Sequence, residues 1–324
     1  MEQTGSRDGS SLSSSSSTNS SSLFLNLPVD LVLLFCKFLP SSSTLTLSLT
    51  YKTLYALITS QNVKLLGLRF GLDRSERQAF LLLLEKDLGH HRYYCQFCFA
   101  LHRFSPGEGP TGRLTCNTSF CLSKNGIHIS FHHVRLVMNR HFYGPPNGIP
   151  LDGFQIEFAT NFGSIPVNEK WSTKIFQNEL LLSCTRTLRG VGEPEKCLAE
   201  LRNLPFQHQS SVCRHVSIAS ALSPLPDRVV QKQELFSCNW CFSDFETTVD
   251  RHWSEYGYDI SRKKVCWTIT LTSYHCLGKG RPSFPCDEAK WYAFTGWYTG
   301  DISRDMQCPT LREQWQESSL ESQS

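Results

Sequence analysis

Two Cys-x-x-Cys pairs and one Cys-x-His pair have the spacing most typical of metal binding in this sequence. The pairs are Cys95 with Cys98, Cys238 with Cys241, and Cys213 with His215. A gap of two residues lets one tight turn present two sulfurs to one ion, and zinc takes thiolate and imidazole ligands in tetrahedral sets. The spacing therefore predicts structural zinc, whose binding free energy would help a loop-rich region to fold.

Two candidate zinc sites can be assembled from these pairs. One is the quartet of Cys213, His215, Cys238 and Cys241. In the other, Cys95 and Cys98 are completed by Cys116 and Cys121, or by His102 in place of one of them. The alternative is that each pair consists of reduced, partly buried thiols that pack as small hydrophobic side chains. We interpret the other cysteines as core or surface thiols: Cys36, Cys184, Cys197, Cys266, Cys276, Cys286 and Cys308.

The sequence does not contain the local motifs of common enzyme classes. It lacks a Gly-rich phosphate loop ending in Gly-Lys-Ser/Thr, a His-Glu-x-x-His and a Gly-x-Ser-x-Gly. The histidine pairs His90/His91 and His132/His133 are adjacent, and adjacent residues do not share a helix face, so we predict surface or loop positions for them. We expect a protein that is not an enzyme; a zinc enzyme with an open ligand position is the less favoured alternative.

Charge and hydropathy exclude several classes of partner. A net charge of +3 is too small for a nucleic-acid footprint, which needs a concentrated basic stripe. No apolar run approaches the roughly 20 residues that cross a bilayer, and the N-terminus lacks a secretory signal. We therefore expect a cytoplasmic or nuclear protein with no membrane or nucleic-acid partner, where reducing conditions favour metal ligation over disulfides.

The elements that must position these residues follow from changes in composition along the chain. Residues 1–22 are Ser-rich and predict a disordered tail. Residues 23–70 are Leu-rich and predict three short helices, the first over Val29 to Leu39 and the third carrying Tyr51, Leu54, Tyr55 and Ile58 at helical spacing. Pro28 suits the start of the first helix, and Pro40 ends it.

Residues 71–144 predict a helical and Cys/His-rich segment. Asp73 and Glu76 form a capping pair for a fourth helix, which Gly89 closes. Its apolar face is predicted to comprise Phe80, Leu81, Leu83, Leu84 and Leu88. Phe131 to His141 has the periodicity of another helix.

Residues 145–310 predict a mixed region with antiparallel strands. Val265, Trp267, Ile269 and Leu271 alternate with polar residues, and the shorter run from Phe245 to Val249 is a candidate partner strand. Ile175 to Leu188 and Phe154 to Phe158 also read as strands. Residues 311–324 predict a second disordered tail. The N-terminal helices followed by a mixed, Cys/His-rich region with antiparallel strands predict the α+β fold class.

The N-terminal helices resemble the F-box. The residues that carry the resemblance are Leu27-Pro28-Val29-Asp30-Leu31-Val32, then Phe35, Phe38-Leu39-Pro40, and Leu45, Leu47 and Leu49 before Leu54-Tyr55. Asp30 stands where Glu is usual, Ser42-Ser43 where an acidic residue and Leu are common, and Tyr51 where Cys is frequent. In that family, a trihelical motif binds the Skp adaptor of a cullin-RING ubiquitin ligase, and the rest of the chain recruits a protein substrate.

The resemblance implies which residues contact the adaptor. These are Leu27, Pro28, Leu31, Val32, Phe35, Leu45 and Leu49. The longer pattern, from about Phe24 to Trp291, is similar to a family of fungal F-box proteins with Cys-x-x-Cys motifs. It implies a non-catalytic substrate adaptor and leaves the substrate open; an interaction module that acts outside a ligase is the alternative.

Overall fold

The computed structural model of the chain divides into two compact units, residues 1–76 and 77–324. Helices and antiparallel sheets are both present, which confirms the α+β class. The structure describes residues 27–61, 74–105, 121–124, 127–162, 165–193, 196, 199–200, 203, 211–213, 215–221, 234–238, 240–241, 243–254, 264–281, 290 and 310–321. The predicted tail at residues 1–22 lies outside these ranges.

The first unit contains three short helices, α1 (Val29–Phe38), α2 (Ser41–Thr50) and α3 (Lys52–Gln61). Prolines stand immediately before α1 and α2, where an imino acid costs no helical hydrogen bond. The Pro28 carbonyl accepts hydrogen bonds from the backbone N–H groups of Leu31 and Val32. These positions agree with the helices that the sequence predicts.

Apolar side chains from all three helices meet inside this unit. Val32 and Leu54 are buried, and Leu27, Cys36 and Leu47 pack against them. The α2 helix also buries small polar residues, of which Ser48 Oγ donates to the Leu45 carbonyl at 2.6 Å, as buried hydroxyls require partners. Thr44 Oγ1 donates to the Cys36 carbonyl at 3.3 Å and so links α2 to α1.

The second unit begins within α4 (Arg74–Leu88), which ends one residue before Gly89 as predicted. The hairpin of β1 (Arg92–Cys95) and β2 (Ala100–Arg103) follows it, and then the hairpin of β3 (Cys121–Lys124) and β4 (Ile127–Ser130). The next helix, α5 (Phe131–Tyr143), confirms the helix predicted over Phe131 to His141. The predicted segments 71–144 and 145–310 fall almost entirely within this one compact unit.

The predicted apolar face of α4 is only partly correct. Of its five apolar residues only Phe80 is fully buried, while Leu83 and Leu88 are exposed. The other buried side chain is Glu85, whose carboxylate accepts hydrogen bonds from Arg135 and Asn139 on α5. A buried ion pair therefore contributes to the attachment of α4 to α5.

A six-stranded antiparallel sheet forms the centre of the second unit. Its order is β10-β11-β12-β7-β6-β5. The strands are β5 (Ile156–Phe162), β6 (Ile165–Phe176), β7 (Glu179–Val191), β10 (Glu234–Ser237), β11 (Ser243–Ser254) and β12 (Lys264–Gly278). The pairing of Val249 with Ile269 confirms the predicted hairpin. A short 3₁₀ turn at Leu151–Phe154 precedes β5. The strand predicted over Phe154 to Phe158 therefore begins two residues later than predicted, at Ile156.

The strand predicted over Ile175 to Leu188 is in fact a hairpin. Gln177 and Asn178 turn the chain with φ of +49° and +62°. Two consecutive positive φ values are typical of the two-residue turns whose twist matches antiparallel strands, and Asn adopts them readily. β6 and β7 therefore pair directly across this turn.

Both faces of the sheet are covered in part. On one face, α5 packs Val134, Val137 and Met138 against Trp171 and Leu180. Side chains alternate between faces along a strand, so Leu181 points to the other face, where it lies with Leu311 and Trp315 of the last helix. That helix, the eleven-residue α7 (Leu311–Glu321), shows that a disordered tail over 311–324 was the wrong prediction for these residues.

Candidate functional site

The four residues of the predicted quartet come together between two turns. Cys213 ends β8 (Ser211–Cys213) and His215 precedes β9 (Val216–Ser217), which leads into the short α6 (Ile218–Ala221). Cys238 and Cys241 lie in the turn that joins β10 to β11. One ligand atom from each residue lies within 4.8 Å of every other, so this group could hold a metal ion.

Backbone hydrogen bonds hold the Cys238 turn in shape. The Cys238 N–H donates to the Ser243 carbonyl, and the Ser243 N–H donates to the Cys241 carbonyl, both at 2.9 Å. The Trp240 N–H donates to Cys238 Sγ at 3.4 Å. A hydrogen bond from a backbone N–H to sulfur, as from Trp240, stabilises a thiolate, which is the form that binds metal.

The three thiols strongly affect one another's ionisation. Hydrogen bonds from the Cys213 and Cys241 thiols hold the pKa of Cys238 far below its usual value. The hydrogen bond with Cys238 raises the pKa of Cys213 to about 11. The hydrogen bonds with Cys213 and Cys238 raise the pKa of Cys241. The contacts among the three sulfurs therefore favour the thiolate at Cys238 and the protonated thiol at Cys213 and Cys241.

The donor atoms fit zinc in both type and spacing. Ligand distances of about 2.3 Å to sulfur and about 2.0 to 2.1 Å to nitrogen imply a sulfur to nitrogen separation of about 3.5 Å in a tetrahedron. His215 Nδ1 lies 3.8 Å from Cys238 Sγ. The three cysteines are buried and His215 is exposed, so the site has one edge at the surface.

A chain of buried, hydrogen-bonded polar residues extends from Cys241 of the quartet into the sheet. The Cys241 thiol donates to Ser243 Oγ at 3.2 Å, and Ser243 Oγ lies 2.6 Å from His275 Nδ1. His275 Nε2 in turn lies 3.1 Å from Ser273 Oγ. Burial, followed by the charge of Arg186, lowers the pKa of His275 to about 3, so the ring is neutral. Such second contacts orient metal ligands, and no local motif in the sequence indicates them.

The Cys95 turn forms a second, smaller group. Cys95, Cys98 and His102 have donor atoms within 4.8 Å of one another. The Cys98 N–H donates to Cys95 Sγ at 3.3 Å, and Phe99 turns the chain into β2 with a φ of +50°. This group includes His102, the alternative ligand predicted from the sequence. Cys116 and the side chain of Cys121 lie outside the described residues, so their part in the site stays a prediction.

The adjacent histidines differ from one pair to the other. His90 and His91 are exposed, as predicted. His132 and His133 are both fully buried on α5, so the prediction of a surface or loop position was wrong for them. His132 Nε2 lies 3.5 Å from Cys95 Sγ. Two adjacent histidines still occupy different faces of the helix, and only one of them contacts the cysteine turn.

The other cysteines behave as packed thiols wherever the structure describes their side chains. Cys184, Cys266 and Cys276 are buried, and Cys36 is half-buried. Cys197, Cys286 and Cys308 lie outside the part of the chain for which side chains are described. Burial raises the pKa of Cys276 to about 12 and also raises that of Cys36.

An exposed apolar stripe runs along α1. Leu31, Leu34, Phe35 and Phe38 are spaced at i, i+3, i+4 and i+7 and are 43, 47, 54 and 80% exposed. This spacing places all four side chains on one face of the helix. Of the predicted contact residues, Pro28, Leu31, Phe35 and Leu49 are exposed and Leu27 is partly so.

Two of the predicted contact residues belong to the interior instead. Val32 and Leu45 are only 4 and 3% exposed, because they face the other helices of the unit. In this structure, neither side chain offers surface for a partner to contact. Leu34 and Phe38 were not among the predicted contact residues but are exposed on the same stripe, and the helical spacing from Leu31 was the signal that could have identified them.

Comparisons with known proteins do not place the chain in a family. A scan against protein-family models finds no match, and searches of curated proteins and of solved structures find none either. Among the helices described above, none has the length and hydropathy needed to cross a bilayer.

Proposed function

We propose that this chain is a non-catalytic adaptor, in which the first unit docks on the Skp adaptor of a cullin-RING ubiquitin ligase. The second unit, a sheet domain held by zinc, would recruit a protein substrate. Such a protein accelerates modification by bringing its two partners together. The cytoplasm and the nucleus are the compartments in which this activity would be needed.

The observation that supports docking is the apolar stripe of α1. A soluble protein rarely exposes a row of large apolar side chains unless another surface covers it. An amphipathic helix recognised in an apolar groove uses anchors at the same i, i+3, i+4 and i+7 spacing. Phe38, at 80% exposure, offers the largest area for burial. The choice of the Skp adaptor as the partner comes from the F-box resemblance of the same helices.

The observation that supports zinc is the composition of the quartet. Three cysteines and one histidine supply four protein ligands, a full tetrahedral set with no position left for a substrate or a water molecule. Such a site joins the β8–β9 turn to the β10–β11 turn. Its proposed role is therefore structural, which also favours a non-catalytic protein over a zinc enzyme.

Docking is tested by co-purification of the full chain with the Skp adaptor and the cullin. The test variant is Leu31→Asp with Phe35→Asp; both side chains are exposed, so stability should change by no more than about 0.5 kcal/mol per site. We expect at least a tenfold loss of adaptor recovery. Val32→Asp is unsuitable, because a buried charge would unfold the unit.

The matched control is Leu83→Asp, which places the same charge on an exposed leucine of α4. We expect this control to recover the adaptor as the unmodified protein does. Equal recovery by the α1 double variant would rule out docking through this stripe. Recovery of the adaptor without the cullin would favour an interaction module that acts outside a ligase.

Zinc is tested by the metal content of the purified protein. Cys238→Ser should remove one zinc ion per chain, because serine does not replace a thiolate ligand. Cys266→Ser is the matched control, since this buried thiol lies outside both cysteine groups. An unchanged zinc content in Cys238→Ser would contradict the assignment.

A further inference from the structure

We propose that a cavity on the central sheet binds a small molecule that carries a carboxylate or phosphate group. The inference is independent of docking on the ubiquitin ligase and of zinc binding. The cavity has a volume of about 370 Å³ and is bounded by β5, β6 and β7. Small-molecule sites in proteins commonly measure about 300 to 1,000 Å³, so this cavity has room for a compact ligand.

The register of the sheet explains how three strands present one polar surface to the cavity. Asn168 on β6 lies opposite Ala159 on β5 and opposite Thr187 on β7. Residues directly opposite each other in antiparallel strands point to the same face. Asn161 and Arg189 lie two residues further along β5 and β7, so they point to this face as well. All five side chains therefore surround the same space.

Short side chains create the depression in the middle of this surface. Ala159 ends at its Cβ, and Thr187 extends only one atom further. The longer side chains of Asn161, Asn168 and Arg189 stand around these two residues and are exposed to solvent. A ligand can therefore enter the cavity from solvent and contact amide, hydroxyl and guanidinium groups together.

Arg189 determines the charge of the ligand. Of the eight residues that line the cavity, it is the one with a charged side chain. The ion pairs found among the described residues do not include Arg189. The planar fork of an arginine side chain binds two oxygens of a carboxylate or a phosphate at once. An oxyanion is therefore the group that fits this end of the cavity.

The carboxylates nearby leave Arg189 available for a ligand. The Glu157 carboxylate accepts a hydrogen bond from Asn168 Nδ2 at 2.8 Å, and Glu157 lies opposite Lys170. The charges of Glu157 and Lys170 offset each other. Asp250 is separated from Arg189 by the strand β12, which places their backbones about 10 Å apart. The rim of the cavity therefore keeps one uncompensated positive charge.

The uncharged groups of the cavity favour hydroxyl groups elsewhere on the ligand. A carboxylate only accepts hydrogen bonds, so the contact with Glu157 fixes the orientation of the Asn168 amide and leaves its Oδ1 as an acceptor. The Thr187 hydroxyl and the Asn161 amide both donate and accept. The ligand class is thus a small carboxylate or phosphate that also carries hydroxyl groups.

The test is an NMR titration of the full chain, in which isotope-labelled arginine reports on each side-chain N–H group. The Arg189 signal is assigned by its loss in Arg189→Gln. We expect inorganic phosphate and acetate to shift this signal saturably, with half-saturation below about 10 mM. Glycerol 3-phosphate, which adds two hydroxyl groups, should bind about threefold more tightly than phosphate. Arg103, exposed on β2, is the internal control and should show no saturable shift.

Two variants separate a built site from a merely exposed cation. Ala159→Phe fills the cavity and keeps Arg189, so saturable binding should be lost while the unfolding midpoint stays unchanged. Thr187→Val keeps the shape and removes the hydroxyl, which should weaken glycerol 3-phosphate about fivefold. Unchanged binding in Ala159→Phe would overturn the proposal, and so would equal saturation at Arg103 or no saturation at Arg189.

A blocked Ala-Glu-Ala tripeptide distinguishes a free small molecule from a protein side chain. It carries the same carboxylate as acetate, together with peptide groups on both sides. We expect the tripeptide and acetate to bind with similar affinity. Binding of the tripeptide tenfold more tightly than acetate would assign the cavity to an acidic segment of a protein and overturn the proposal of a small-molecule ligand.

Discussion

Glu85 and Arg135 form an ion pair that is almost completely buried between α4 and α5. Their side chains are only 2 and 4% exposed. The Glu85 carboxylate also accepts hydrogen bonds from the Tyr94 N–H at 2.8 Å and from Asn139 Nδ2 at 2.9 Å. Arg135 Nη1 donates to the Gly280 carbonyl after β12 at 3.0 Å. One carboxylate therefore connects three elements, and its loss would leave a buried positive charge.

We expect Glu85→Ala to lower the free energy of unfolding by about 3 to 5 kcal/mol, because breaking a buried pair leaves an uncompensated charge. Denaturant unfolding of the full chain measures this loss. The matched control is Glu193→Ala, which removes an exposed partner of Lys196 and should cost less than about 1 kcal/mol. Similar losses in the two variants would contradict a special role for the buried pair.

His275 gives the second unit a predictable dependence on pH. Its folded pKa is lowered to about 3, mainly by burial, from an ordinary value of about 6.5. The unfolded chain therefore takes up a proton that the folded chain does not, so stability falls as the pH drops below about 6.5. The slope is at most about 1.4 kcal/mol per pH unit and continues to about pH 3.

We expect His275→Gln to show a smaller loss of stability between pH 7 and pH 5 than the unmodified chain in urea unfolding. The exposed His91→Gln should lose as much as the unmodified chain. Parallel pH profiles for all three would show that His275 is not responsible.

Local spacing predicted part of the candidate site, and the fold determined the rest. Cys-x-x-Cys and Cys-x-His each place two donors in one turn, so the quartet could be predicted from the sequence. His132 could not, because it reaches Cys95 only through the packing of α5 on the β1–β2 hairpin. The burial of Glu85 could not be predicted for the same reason. Its partner Arg135 is distant in the chain, and charged residues are normally exposed on helices.

At the scale of elements, α7 is attached to the sheet by both polar and apolar contacts. The Leu311 N–H donates to Asp244 Oδ2 at 2.7 Å, which places a negative charge at the start of the helix. Arg312 pairs with Glu246 at 2.8 Å. Lys174 Nζ lies 4.6 Å from the centre of the Trp315 ring. The helix is therefore a regular part of the second unit.

We expect truncation after Pro309 to destabilise the second unit by about 3 kcal/mol, since it removes the apolar cover of Phe176, Leu181 and Tyr274. Thermal and urea unfolding measure the effect. Truncation after Glu321 is the control and should leave the unfolding midpoint unchanged. An unchanged midpoint in the longer truncation would mean that α7 contributes nothing to the sheet.

Composition alone misled the prediction for this helix, whereas periodicity succeeded for the strands. The Ser, Glu and Gln residues near the C-terminus are typical of disorder, but Leu311 and Trp315, one turn apart, pack α7 against the sheet. The β11–β12 hairpin was predictable because period-two alternation is a local signal. The β6–β7 turn was not, since Gln177 and Asn178 interrupt a run that otherwise reads as one strand.

At the scale of the whole molecule, the cysteines of the quartet, which could hold a metal ion, differ from the packed thiols. The quartet joins turns near one edge of the sheet, whereas Cys276 lies within β12. Burial, together with the neighbouring Glu179 carboxylate, raises the pKa of Cys276 to about 12. The thiolate is the reactive form, so this thiol should be inert in the folded protein.

We expect a chelator to make the quartet reactive toward an alkylating reagent at neutral pH, first at Cys238, where the contacts with the other two thiols favour the thiolate, while Cys276 stays protected. Mass spectrometry of labelled peptides measures each site, and the metal-loaded protein is the control. Labelling of Cys276 at the same rate as the quartet would instead show that the whole sheet unfolds when the metal is removed.

The order of strands in the sheet has a consequence for the time course of folding. β5, β6 and β7 form one group of neighbours along the chain, and β10, β11 and β12 form another. Among the described strands, the two groups pair with each other between β7 and β12, where Leu188 lies opposite Ile269. Contacts between distant parts of a chain form slowly, so we expect this junction to set the folding rate.

Stopped-flow refolding should be slowed by Ile269→Val and much less by Ile156→Val in the edge strand.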